Sequence, residues 1–242
     1  MTKLVEQLIN ERDNKLAGSL YYRTQITFSY NSNHMEGTRL TEDQTQQIYD
    51  TGSVFAEQGK PIYVDDVLAT VNHFQVFNYL LDTVEQPLTP EYTIKLHQIL
   101  KKGTKQEYNP RFNYAGFKQL PNQIGTFNVI NTTSPKETPG KVASLFKQWE
   151  KETAANLANF AKFHRDFELI HPFSDGNGRV GRLLLFKELC RRNQTPLIIE
   201  DVNKPYYLRG LREFENTPGY LVDTLGLEQD KYQGLINYFY PE

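Results

Sequence analysis

The run His171-Pro-Phe-Ser-Asp-Gly-Asn-Gly-Arg-Val-Gly-Arg182 admits few local structures. Pro172 cannot continue a helix and disfavours helical geometry in the residue before it. An apolar helix running into His171 must therefore stop there. Asp175-Gly-Asn-Gly178 reads as a loop, and Arg179 opens a second helix. A Gly-rich loop feeding a helix N-terminus presents unpaired backbone N–H groups and the positive end of the helix dipole, which together form an anion cradle. Arg179 and Arg182, at i and i+3, lie on neighbouring parts of one face and can hold two phosphates. Asp175 supplies an oxygen ligand suited to a Mg²⁺ ion bridging to phosphates. His171 is placed to accept the proton of an attacking hydroxyl. A nucleoside triphosphate is the anion that fits this set. Each part alone reads more simply, as a structural histidine, a turn or a solvated arginine pair; the reading rests on their conjunction within twelve residues.

This run resembles the signature of the Fic family, H-x-F-x-[D/E]-G-N-G-R-x-x-R, matched at every fixed position by His171, Phe173, Asp175, Gly176, Asn177, Gly178, Arg179 and Arg182. The resemblance implies an all-α fold, a Fic-type helical core with a small β-hairpin flap, and transfer of AMP from ATP to a hydroxyl side chain (Ser, Thr or Tyr) of a target protein. It implies His171 as the base, Phe173 as the loop's anchor in the core and Asp175 as the Mg²⁺ ligand. Gly176, Asn177, Gly178 and Arg179 would then hold the α- and β-phosphates, and Arg182 the γ-phosphate. Other reactions of the family stay open at this point: transfer from another nucleotide, removal of AMP, or nucleotide sensing without turnover.

A second, shorter likeness lies upstream. Ser32-x-x-x-Glu36-Gly37 resembles the inhibitory motif of part of the family, whose Glu pairs with the second Arg of the signature. The likeness implies an inhibitory helix at about residues 20–37 and a forked Glu36–Arg182 pair. The periodicity around it gives one long helix or two shorter ones from about residue 3 to 36, with Gly18 between them and Gly37 as a C-terminal stop. Between about 104 and 136 helical spacing disappears. Gly116, Phe117 and Lys118 through Ile124 there resemble the flap (about 114–130) that docks an extended target segment by main-chain pairing. The family's usual Gly-Tyr-Arg is Gly-Phe-Lys in this chain. Tyr206 and Tyr207 match loosely an aromatic pair beside the adenine, and tyrosine faces stack well on a base.

Elsewhere the pattern is helical. Thr41 with Gln44 forms a capping box for a helix closed by Gly52. Residues from Asp65 to Val84 carry a core stripe, and Thr89-Pro90 and Thr138-Pro139 each read as an N-cap followed by Pro at N1. His164, seven residues before His171, reads as a hydrogen-bonded core residue, while His97 has no partner at metal-ligand spacing. Leu183 to Leu189 are too apolar for a surface helix. With 242 residues, 38% hydrophobic and 23% charged, the chain reads as one domain, 1–242. A net charge of −2 gives no electrostatic case for nucleic acid or an anionic membrane. The first fifteen residues contain no uninterrupted apolar segment of the kind a secretory leader needs. A single cysteine fits a reducing, cytoplasmic setting. The expected partner is a target protein docked on the flap; self-modification is expected as well, and homo-oligomerisation is left open.

Overall fold

The computed structural model describes residues 2–125 and 129–241. Helices α1 (Lys3–Asp13), α2 (Leu20–His34), α3 (Glu42–Thr51), α4 (Val64–Asp82) and α5 (Pro90–Lys101) precede a two-stranded antiparallel hairpin, β1 (Gln123–Ile124) and β2 (Ile130–Asn131). Then follow α6 (Thr138–Glu150), α7 (Leu157–Ile170), α8 (Asn177–Arg191), α9 (Lys204–Arg212) and α10 (Gly219–Phe239). Gln123 pairs with Asn131 and Ile124 with Ile130. The fold is thus helical with a small hairpin, as the resemblance implies. The expected flap reaches residues 126–128, which lie outside the described residues.

Local signals explain most boundaries. Gly18, at φ +64°, separates α1 from α2 and resolves the first region into two helices. Thr41 and Gln44 form the capping box of α3, and Gly52 closes it in the left-handed conformation. Thr89 caps α5 through its hydroxyl, with Pro90 in the first turn. The parallel reading of Thr138 needs correction. The N-cap of α6 is Glu137, and the Thr138 hydroxyl donates back to the carbonyl of Ser134 at 2.8 Å, so it is spent on the preceding turn.

Helix α8 is the centre of the molecule. Val180, Leu183, Leu184, Leu185, Phe186 and Leu189 are all buried on different sides of it. It packs on α7, α2, α4 and α5. A helix so enclosed cannot lay its N-terminus in bulk water, and its first turn opens on a cavity between α2, α7, α9 and the hairpin. Such burial on all sides requires neighbours whose own polar groups are satisfied internally. In α2, Gln25 donates to Tyr21 Oη (2.9 Å) and to the carbonyl of Phe74 (3.1 Å). Among the described residues no helix is long and apolar enough to cross a membrane.

His73, His97 and His164 are buried, and burial pushes all three imidazoles down to about 3. Below pH 6.5 the unfolded chain therefore binds protons that the folded chain refuses, so stability falls as the pH drops. Burial pushes the Glu168 carboxyl up to about 8, which works in the opposite sense: its stabilisation is present at low pH and fades as the pH rises toward 8. Three imidazoles outweigh one carboxyl, and the net loss between pH 6 and 5 is on the order of 3 kcal/mol. The melting temperature should fall steeply over that unit in a calorimetric scan; a flat profile down to pH 5 would show that these histidines are not buried as neutral groups.

Candidate active site

The signature run folds as its residues dictate. Helix α7 ends at His171, which takes the left-handed conformation (φ +50°), an uncommon state for a residue with a side chain. The loop that follows turns through Gly176 at φ +86°, and α8 starts at Asn177, two residues earlier than the sequence suggests. Asn177 makes this possible. Its side chain accepts from the Phe173 N–H (2.7 Å) and donates to the Phe173 carbonyl (2.8 Å), closing the loop on itself. Phe173 is fully buried and stacks face to face on His97, with ring centroids 4.0 Å apart.

Two residues at the root of the hairpin hold the strained turn. The carbonyls of Ile170, His171, Pro172 and Phe173 are consecutive, and each accepts a hydrogen bond from Lys118 or Asn122. Lys118 Nζ donates to Ile170 (3.2 Å) and its backbone N–H to Pro172 (2.8 Å). Asn122 Nδ2 donates to His171 (3.4 Å) and Phe173 (2.8 Å). Lys118, read from the sequence as a flap residue, is also a clamp on the turn that bears His171. Gly116 and Phe117 lie in the same segment, where Phe117 packs on Phe173, and Ile124 lines the cavity.

The cavity, about 340 Å³, is lined by Glu36, Ile124, Glu168, His171, Gly178, Arg182 and Tyr207 among others. His171 Nδ1 lies 3.1 Å from the carbonyl oxygen of Glu168. A carbonyl only accepts, so Nδ1 carries the hydrogen and Nε2 is left with the lone pair. Burial keeps this imidazole below its ordinary pKa, so it is neutral at pH 7. Across the cavity, Arg182 Nη2 donates to Glu36 Oε1 at 2.8 Å and to the Ser32 carbonyl at 2.8 Å, while Nε donates to Ser32 Oγ at 3.1 Å. The expected forked pair is thus corrected to a single-pronged one, because Nε and the second Nη2 hydrogen go to Ser32 and turn the guanidinium toward α2. Burial opposes the Glu36 charge, but Arg182 and Arg179 hold the carboxyl below its usual range. A Cβ on Gly178 would collide with the Glu36 carboxylate, so that carboxylate lies against the first turn of α8 and the glycine makes room for it. Gly37, at φ +94°, follows the last turn of α2 and lets the chain leave.

Asp175 gathers donors. Lys101 and Gln106 (2.7 Å) donate to its Oδ2, and Arg179 lies 3.4 Å away. These groups outweigh burial and hold the carboxyl well below the usual range. Its side chain is 38% exposed. An ionised, accessible carboxylate fits a Mg²⁺ ligand. Among the described residues no group of three or more His, Cys, Asp or Glu could hold a metal by itself. A Mg²⁺ ion would have to draw the rest of its oxygen shell from phosphates and water.

The structure separates the two tyrosines. Tyr207 is buried, lines the cavity and meets His164 Nε2 through its hydroxyl at 2.7 Å. Tyr206 is 60% exposed and lines a different surface pocket with Asn203, Arg209 and Tyr220. Consecutive helical residues point about 100° apart, so the pair cannot serve one pocket. The sequence reading missed Lys101 and set His97 aside, yet His97 Nε2 contacts the Asp175 carbonyl oxygen at 3.1 Å and its ring supports Phe173. Thr93, His97 and Lys101, at i, i+4 and i+8, form a buried polar stripe on α5 that could have flagged both.

Residues 87–189 match the model of the Fic/DOC family. A probable protein adenylyltransferase of Aquifex aeolicus is 37% identical over 87 residues, covering 32% of this chain and 27% of the relative. A protein adenylyltransferase Fic of Nematostella vectensis is 28% identical over 220 residues, covering 85% of this chain and 49% of the relative, so the chain spans at most about half of either protein. Among solved structures, a Fic domain containing signaling protein of Bacteroides thetaiotaomicron superposes with TM-score 0.74 at 24% identity, covering 97% of this chain and 90% of that one. A fragment of Fic-1 from C. elegans gives 0.71 at 18% identity, covering 98% and 72%. Signature, fold and family match fall on the same helices: residues 87–189 carry the likeness to the Fic/DOC family, and the fold around them is similar to that of solved Fic proteins.

Proposed function

We propose that the protein is a protein adenylyltransferase, moving AMP from ATP to a Ser, Thr or Tyr hydroxyl of a target protein, and that Glu36 restrains it. The observation that carries this reading is the Glu36 carboxylate resting on the first turn of α8 and on Arg182, in the cavity that also holds His171. A carboxylate drawn to that place marks an anion site, and a triphosphate is the anion whose further charges Arg179 and Arg182 can meet. The relatives' printed activity is the same.

In this reading the N–H groups of Gly176, Asn177 and Gly178 with Arg179 hold the α- and β-phosphates, and Arg182 takes the γ-phosphate once Glu36 withdraws. Asp175 would hold a Mg²⁺ ion, which when bound neutralises charge on the phosphates. Tyr207 closes the buried side of the cavity. The target lies along the hairpin, so that its hydroxyl meets His171. Nε2 accepts the hydroxyl proton, the oxygen bonds to the α-phosphorus, and pyrophosphate leaves with the electron pair of the broken P–O bond. The chain itself is a substrate for labelling, and the single buried Cys190 suits the reducing cytoplasm.

His171→Ala should lose about 10²- to 10⁴-fold in transfer, the usual range for a general base, while keeping ATP affinity, because the imidazole touches no phosphate; an equally active variant would remove His171 from the mechanism. For Asp175→Ala the expectation is loss of the Mg²⁺-dependent part of ATP binding in calorimetry. An affinity equally sensitive to Mg²⁺ would place the metal elsewhere. Glu36→Gly should label itself from ATP carrying its tracer on the α-phosphate about ten to a hundred times faster, the worth of one charge-assisted hydrogen bond. Adding Arg182→Ala should take that gain away. No gain in a folded Glu36→Gly protein would mean that the carboxylate only caps a helix.

A further inference from the structure

Lys101 lies outside the signature run, on the last turn of α5, yet its side chain is buried and ends on Asp175. It reaches the cradle itself. A Cβ on Gly176 would stand 2.8 Å from Lys101 Cε and 3.4 Å from Nζ. Asp175 is the only carboxylate within ion-pair distance of Lys101 among the described residues, and it is oversubscribed. Lys101, Gln106 and Arg179 all converge on one oxygen, Oδ2, which has two lone pairs.

The charge count points the same way. Lys101, Arg179 and Arg182 face two ionised carboxylates, Asp175 and Glu36, while the Glu168 carboxyl near Arg182 is kept protonated by burial, which leaves one buried cation in excess. Buried charge is tolerated only when paired. Withdrawal of Glu36 raises the excess to two. A fully ionised nucleoside triphosphate carrying one divalent cation has a net charge of minus two, so it neutralises the site only if Lys101 is counted with the two arginines. Without Lys101 one positive charge too few would face the phosphates.

We propose that Lys101 is a direct phosphate ligand, a third cation of the cradle that rests on Asp175 in the nucleotide-free protein and bonds the polyphosphate when it binds. This rests on the triphosphate reading of the site given above. The rival is a strut: Lys101 holds the Asp175 loop and never touches the ligand.

A cycle of variants separates the two. All carry Glu36→Gly to clear the cradle, and the probe is inorganic tripolyphosphate titrated calorimetrically with a chelator present, so that no metal takes part. A strut acts only through Asp175, whereas a ligand acts without it. In an Asp175→Ala background, where no side-chain oxygen is left for Lys101 to brace, Lys101→Met should weaken tripolyphosphate binding by about ten- to a hundredfold, and Lys101→Arg should retain most of the affinity. Affinity unchanged by Lys101→Met in the Asp175→Ala background overturns the proposal. If the Glu36→Gly parent binds neither tripolyphosphate nor ATP, the functional reading fails instead. Should the Met variant not fold, the unsubstituted lysine can be tested with an acyl phosphate of ATP, a mixed anhydride that acylates an amine at the phosphate end and releases ATP. Peptide mass spectrometry of the Glu36→Gly protein should then find ATP-protected acylation at Lys101, and its absence there overturns the proposal as well.

Discussion

The N-terminus of α8 sets the terms for the rest of the molecule. The helix is apolar around most of its circumference, so hydrophobic burial fixes it at the centre. Its first turn then faces inward with unpaired N–H groups and the positive end of the helix dipole, in a place water reaches only through the cavity. An inward-facing helix start must find an anion. The Glu36 carboxylate does this, brought from the end of α2 and seated where Gly178 has no Cβ to exclude it. The polar character of α2 follows from the same demand. Ser32 must face Arg182, and Gln25 and Ser29 bond the chain of α4, so a helix with little apolar asymmetry is still packed on several sides.

What the sequence revealed and what it hid divide along a physical line. Signals confined to a few neighbouring residues were legible: the Pro172 stop, the Thr41–Gln44 capping box, the Thr89-Pro90 helix start and Gly18 between two helices. The signature marked the site because its chemistry lies within twelve consecutive residues. The Thr138 cap failed for a local reason: an N-cap and a residue whose hydroxyl turns back four positions share the same sequence signature. Other features depend on partners far along the chain. Nothing near Lys101 announces Asp175, 74 residues on, and nothing near Asn122 announces the carbonyls of His171 and Phe173. The pairing of Tyr206 with Tyr207 ignored the helical turn that sends them to different pockets.

Buried polar groups in this protein mostly position other groups. His164 supports Tyr207, His97 supports Phe173 and the Asp175 carbonyl, and Glu168 turns its backbone oxygen to His171 while its carboxyl lies against the bare Cα of Gly181. Each would be more stable as an apolar residue of the same shape if packing alone mattered. Their cost is set against orientation of the cavity lining.

The two hairpin-root residues that serve four successive carbonyls tie the hairpin to the turn bearing His171. A segment laid along β1 or β2 therefore pushes on a lever whose short arm ends at the imidazole. Under the reading proposed above, a polypeptide that bends the hairpin also swings the base off line. Selection among substrates would then fall on the straightness of the segment presented, and less on which side chains it carries.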